Sequence, residues 1–186
     1  SHSTPDFPYN AYICSIPLDF EKVPLHWHDE VEIIYIKKGR GRVTLDFTSL
    51  YVEAGDIIIV SPGQLHAIGP AEDSMEYENI IFSLDLLCTG SMDALSSEFF
   101  EPFLAGTIGF EHLVCCDDEH YPALSSCLNH IDSISSSFPK GYRLAIKGAL
   151  FTFFYTIFTN STDIPAPKND PVSYTHLRAH ETGRNL

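Results

Sequence analysis

Between Tyr12 and Leu84 the apolar residues fall in short runs rich in β-branched and aromatic side chains, namely Val31 to Ile36, Arg42 to Phe47, Asp56 to Val60 and Glu78 to Leu84. Turn-forming residues separate the runs: Gly39, Gly41, Gly55, Pro62, Gly63 and Gly69. Short strands punctuated in this way predict an antiparallel sandwich or small barrel. Gly39-Arg40-Gly41 reads as a tight hairpin turn, because glycine adopts positive φ without steric cost.

Beyond Leu84 the spacing becomes helical. Ser91 to Leu104 has helical character, with Ser91 placed to cap it. Two stronger helices are predicted, over about Glu119 to Ser137 and about Lys140 to Asn160. In the first, Leu124, Leu128, Ile131 and Ile134 recur at intervals of four and three, which draws one apolar stripe along one side. In the second, Leu144, Ala145, Leu150, Phe153, Phe154, Ile157 and Phe158 form a stripe so broad that most of the helix needs covering. The chain is therefore expected to be mainly β with C-terminal α: a β-barrel with an N-terminal arm over 1–90, two or three helices over 91–161, and a linker and tail over 162–186. Pro165, Pro167 and Pro171 mark the linker. Residues 172–186 are polar, rich in His and Arg and without apolar period, so they are read as disordered and foreign to the domain.

A hydrophobic fraction of 44% over 186 residues supports one folded core and excludes a largely disordered chain. The net charge of −14 opposes contact with a phosphate backbone, because such binding gains its free energy from Lys and Arg displacing counterions. From Ala71 to Pro139 there is neither Lys nor Arg, so that stretch is expected to be a solvated acidic face or a partner for something basic. The five cysteines show neither framework spacing nor a C-x-x-C pair, and reduced thiols follow. The acids beside Cys115-Cys116 should keep those thiols protonated. The longest apolar run, Gly148 to Phe158, is too short to cross a bilayer, and no signal-peptide pattern opens the chain, which is read as cytoplasmic with no membrane partner.

Candidate chemistry concentrates in His26-Trp27-His28-Asp29-Glu30-Val31-Glu32 and Pro62-Gly63-Gln64-Leu65-His66. Strand alternation would put His26, His28 and Glu32 on one face and Trp27 on the other, packed against a helix. With His66 on a neighbouring strand, three imidazoles and one carboxylate would surround a pocket. That set suits a divalent transition metal such as iron, manganese, nickel, zinc or copper. Without metal it makes a polar pocket for a small molecule.

These residues resemble the cupin superfamily. His26, His28, Glu32 and Gly39 match its first motif, and Gly55, Pro62 and His66 its second, with proline one residue later than in many cupins, where Ser61 stands here. The wording His-Trp-His-Asp-Glu-Val-Glu-Ile-Ile-Tyr at 26–35 and Gly-Asp-Ile-Ile-Ile-Val-Ser-Pro-Gly-Gln-Leu-His at 55–66 is similar to the N-terminal domain of AraC-type transcription regulators. The resemblance implies a cupin-like antiparallel barrel, or double-stranded β-helix, followed by dimer-forming helices and a linker to two helix-turn-helix units. No such units are read in these 186 residues, so DNA would be contacted only through a missing C-terminal part. The implied function is effector sensing and dimerisation rather than catalysis. A small polar, sugar-like metabolite would bind at His26, His28, Glu32 and His66, with Arg40 or Arg42 at the rim, and the homodimer would form through Leu124, Leu128, Ile131 and Ile134. The alternative is a stand-alone metal-dependent cupin enzyme, an oxygenase or sugar isomerase, holding metal at the same His26, His28, Glu32 and His66. His112, His120 and His130 lack companion ligands and are expected at the surface.

Overall fold

The computed structural model describes residues 7–88 and 94–164. Nine strands are assigned among them: β1 (Tyr9–Ile16), β2 (Val23–His26), β3 (Val31–Leu45), β4 (Thr48–Glu53), β5 (Ile57–Val60), β6 (His66–Phe82), β7 (Ile108–Gly109), β8 (Leu113–Val114) and β9 (Thr162–Asp163). A five-residue π-turn, Ser96–Phe100, runs into α1 (Glu101–Leu104), followed by α2 (Tyr121–Ser137) and α3 (Tyr142–Thr159).

The two long strands organise the molecule. The first half of β3 pairs with the second half of β6, and β1, β5 and β8 extend that half-sheet. The second half of β3 pairs with the first half of β6, and there β2 and β4 are the neighbours. One apolar cluster joins Ile34, Ile36, Ile58 and Val60 of the first half to Val43, Leu45, Val52 and Ile68 of the second, so the sheet folds over on itself around an interior core. The pairing is antiparallel throughout, as expected.

Glycines 39 and 41 do not form the expected hairpin. β3 continues through them, with irregular register at Ile36/Lys38 and Gly39/Gly41, and its interior side chains change from even-numbered (Ile34, Ile36) to odd-numbered (Val43, Leu45) residues. Gly39 has φ +73°, and a Cβ there would collide with the Ser74 carbonyl, so glycine supplies the bend by which one strand serves both half-sheets. The hairpin turn lies further on, at Asp46-Phe47, between Leu45 and Thr48. Tyr9 to Tyr12 belong to the sheet, pairing with Phe82 to Asn79 in β1. Residues 1–6 lie outside the described residues, as do Ser91 and the tail.

The other face of the first half-sheet presents Val31, Ile33, Tyr35, Ile57, Ile59, Ile80 and Phe82. The helices cover it. Leu124, Leu128, Ile131 and Ile134 of α2 join this same cluster and are at most 7% exposed. The stripe read as a subunit contact is therefore enclosed within its own chain. α2 joins the cluster by its single stripe, whereas α3, whose Phe154 packs on Phe82 of β6, brings the wider apolar surface that its sequence shows. Among the described residues no helix is long and apolar enough to cross a membrane.

Candidate functional site

β2 ends at His26, which pairs with His66 at the start of β6, and Leu45 flanks His66 on its other side. Residues 27–30 form a connection, and Glu32 is the second residue of β3. His26, His28 and Glu32 thus converge, but through a turn between two strands rather than by alternation along one. Because the chain leaves β2 at His26, Trp27 is not held against a helix and is 41% exposed.

The four side chains meet closely. One ligand atom from each of His26, His28, Glu32 and His66 lies within 4.8 Å of the others. Nε2 of His28 is 2.8 Å and Nε2 of His66 is 3.1 Å from the same oxygen, Oε2 of Glu32. The opposite nitrogens are anchored to backbone. Nδ1 contacts the carbonyl of Pro24 for His26 (2.9 Å), of Glu30 for His28 (3.2 Å) and of Gln64 for His66 (2.9 Å). A carbonyl only accepts, so each Nδ1 carries the proton and donates, and a neutral ring then directs an Nε2 lone pair inward. Two such lone pairs facing one carboxylate oxygen repel it. A proton on each Nε2, or a cation between the rings and the carboxylate, removes the repulsion. The donor set therefore fits a divalent transition metal, with backbone contacts orienting the imidazoles as metal ligands require.

Electrostatics follow from the same contacts. Burial alone would push the Glu32 carboxyl up, yet hydrogen bonds from His28 and His66 and their charge outweigh it and hold the group down at about 2. The hydrogen bond to Glu32 raises the His28 pKa, against the effect of burial.

Above this cluster lies a cavity of about 360 Å³ whose walls include His26, His28 and Glu32. Among the other wall residues, which sequence reasoning missed, are Tyr12 on β1, Lys22 before β2, and Tyr77 and Asn79 on β6. Alternation along β6 could have found Tyr77 and Asn79, since they oppose the core residues Ile80 and Phe82. Nothing local distinguishes Lys22. Arg40 is not brought to the cavity: it lies exposed on β3, where its guanidinium contacts the Tyr51 hydroxyl at 3.5 Å, and Arg42 is exposed nearby. Other histidines stay apart from the cluster. His112 Nδ1 contacts the Ile59 carbonyl at 2.7 Å, His120 is half-buried and His130 is exposed. Cys115 behaves as expected, its thiol pushed up to about 11 by burial and by Asp56 and Asp117.

Residues 18–153 match the family described as the AraC-like ligand binding domain. Over 74 residues the chain is 31% identical to an uncharacterized HTH-type transcriptional regulator, YdeC of Bacillus subtilis (strain 168), covering 39% of this chain and 25% of that protein. Over 45 residues it is 53% identical to YdiP of Escherichia coli (strain K12), another uncharacterized HTH-type transcriptional regulator, covering 23% and 14%. The matched segments thus span a quarter or less of these relatives. Among solved structures, a cupin protein from Bacteroides fragilis aligns with a TM-score of 0.40 at 26% identity, over 47% of this chain and 75% of that one.

Proposed function

The chain belongs to the AraC-like ligand binding domain family, and from that premise we propose that it is the effector-sensing and dimerising part of a bacterial transcription regulator. A small polar metabolite of sugar-like character enters the cavity and is read by His26, His28 and Glu32, with the fully buried His66 acting through its contact to Glu32. DNA contact belongs to a helix-turn-helix part carried elsewhere in the regulator, because a net charge of −14 is unsuited to it. The observation that carries this reading is a cavity of hexose scale whose end wall is a preorganised cluster of imidazoles and one ionised carboxylate. A sensor further requires the effector to bind two arrangements of the protein with different affinity, typically by about 1–3 kcal/mol. Calorimetric titration with sugars and related metabolites tests it: a hit should weaken on Glu32→Ala, and a hit indifferent to every substitution in the cavity would refute this site.

A second reading rests on the same cluster. His26, His28, Glu32 and His66 would hold the ion in a metal-dependent cupin enzyme, where a divalent metal supplies Lewis-acid or oxygen-binding chemistry. Elemental analysis separates the two. About one iron or manganese per chain after metal-supplemented expression favours the enzyme, and far less than one removes it.

Dimerisation is assigned to the outward side of α3. Leu144 and Tyr155 are 78% and 68% exposed there, and Gly148 and Phe151 lie between them at helical spacing on one face.

A further inference from the structure

Two groups on the cavity wall, neither belonging to the histidine cluster, lack a protein partner among the described residues: a buried amide oxygen and a solvated ammonium. Asn79 is 6% exposed; its amide nitrogen donates to the Tyr12 hydroxyl at 3.3 Å, while its oxygen Oδ1 is buried and accepts no hydrogen bond among the described residues. An unpaired buried acceptor is unfavourable, and a hydroxyl supplied by a bound molecule would satisfy it. Lys22 is the one Lys or Arg among the residues lining the cavity, and it makes no ion pair among the described residues. By contrast Lys37 and Lys38 are both paired with carboxylates. The one carboxylate on the cavity wall, Glu32, is already partnered by two imidazoles and makes no ion pair with Lys22 among the described residues.

Resting on the sensor reading above, we infer that the effector is anionic: a hydroxylated carboxylate of the sugar-acid class. Its carboxylate pairs with Lys22 Nζ, and one of its hydroxyls donates to Asn79 Oδ1. Its remaining hydroxyls face the histidine cluster and the Tyr12 and Tyr77 phenols. A carboxylate is favoured over a phosphate ester because a single ammonium matches one negative charge. A phosphate dianion calls for a guanidinium fork or a second cation free to meet it; the described cavity wall has no guanidinium, and the His28 imidazole in it is already engaged by Glu32. Lys22 is thus the residue that separates acids from neutral sugars, and Asn79 the residue that demands a hydroxyl on the ligand.

The test is a matched titration of the purified chain with five- and six-carbon neutral sugars, the corresponding aldonic and uronic acids, and the corresponding sugar phosphates. We expect at least one acid to bind about tenfold or more tightly than its neutral parent and than its phosphate. Lys22→Met should bring the acid-to-neutral ratio close to one, and Lys22→Arg should retain most of it. Asn79→Leu should weaken acid and neutral sugar alike. Lys22 is exposed, so its variants fold even if the buried Asn79 variant does not. Neutral sugars binding as well as acids, phosphates binding best, or a preference that survives Lys22→Met each overturn the anionic assignment and leave the sensor reading standing. Failure of all three classes to bind overturns both.

Discussion

Lys37 of β3 donates a hydrogen bond of 2.8 Å to Asp132 of α2, joining the cavity-forming sheet to the helical layer through a charged side chain. The same ammonium lies 3.0 Å from Glu78 Oε2 on β6 and 4.0 Å from the centroid of the Tyr35 ring. Glu78 alternates with Tyr77 and Asn79 along β6, so the strand that lines the cavity with one face holds α2 with the other.

That arrangement makes stability depend on pH. Burial, reinforced by Asp132, pushes the Glu78 carboxyl up to about 8, with Lys37 pulling the other way. A carboxyl raised on folding contributes stability that is fully present below its ordinary range and lost as pH rises through about 8. Lys37, whose own pKa is raised, stays charged across that window. Glu78→Gln should therefore match the parent chain near pH 5 and exceed it by about 1–2 kcal/mol near pH 9. Paired thermal melts at both pH values check this; an equal gap at pH 5 and pH 9 would contradict it.

Gly39→Ala should destabilise the domain by about 2–4 kcal/mol, since the new Cβ meets the Ser74 carbonyl and the backbone there has φ +73°. Gly63→Ala is the control. Its φ of +75° is similar, but open space surrounds it, so it should cost about 1 kcal/mol. Denaturant midpoints of the two variants separate steric collision from backbone preference.

The contrast between Gly39 and Ile34 shows what was legible in the sequence. Apolar runs placed the two long helices and β5 to within two residues and marked parts of β3 and the end of β6, because burial acts on every second or every third and fourth side chain, but they did not mark β1, β2, β4 or the first half of β6. They could not reveal that β3 bends and continues, because a bulge and a hairpin both ask for glycine at positive φ. The histidine cluster was legible as a set of ligands from its motif spacing, yet its geometry was assigned to one strand when a turn creates it. Asn79 could be placed on the cavity side of β6 by alternation, but its unpaired oxygen could not be foreseen, and nothing local distinguishes Lys22.

Metal binding should appear as added stability. At a free concentration about a hundredfold above Kd, manganese or zinc should stabilise the chain by about 2.7 kcal/mol, and chelation should reverse the effect. Glu32→Gln keeps the size of the side chain but removes its charge, and it should weaken metal affinity at least about tenfold. Thermal melts with and without metal, each compared with the metal-free variant, provide the measurement. A metal shift unchanged in Glu32→Gln would place the ion elsewhere.

Helix α2 and helix α3 should respond differently to substitution. Leu128 is fully enclosed between sheet and helices, so Leu128→Ala should cost about 2–5 kcal/mol and leave the association state of the folded chain unaltered. Leu144 and Tyr155 project from α3 with little contact to their own chain, so the double change Leu144→Asp with Tyr155→Asp should alter monomer stability by less than about 1 kcal/mol. Two charges on that face would have to be desolvated in a pairing between copies, at a cost of several kcal/mol, so the dimer proposed for the parent chain should give way to monomer in sedimentation of the double variant. A dimer that survives this double change would move the subunit contact off the outer face of α3; one that dissolves on Leu128→Ala while the fold persists would return it to α2.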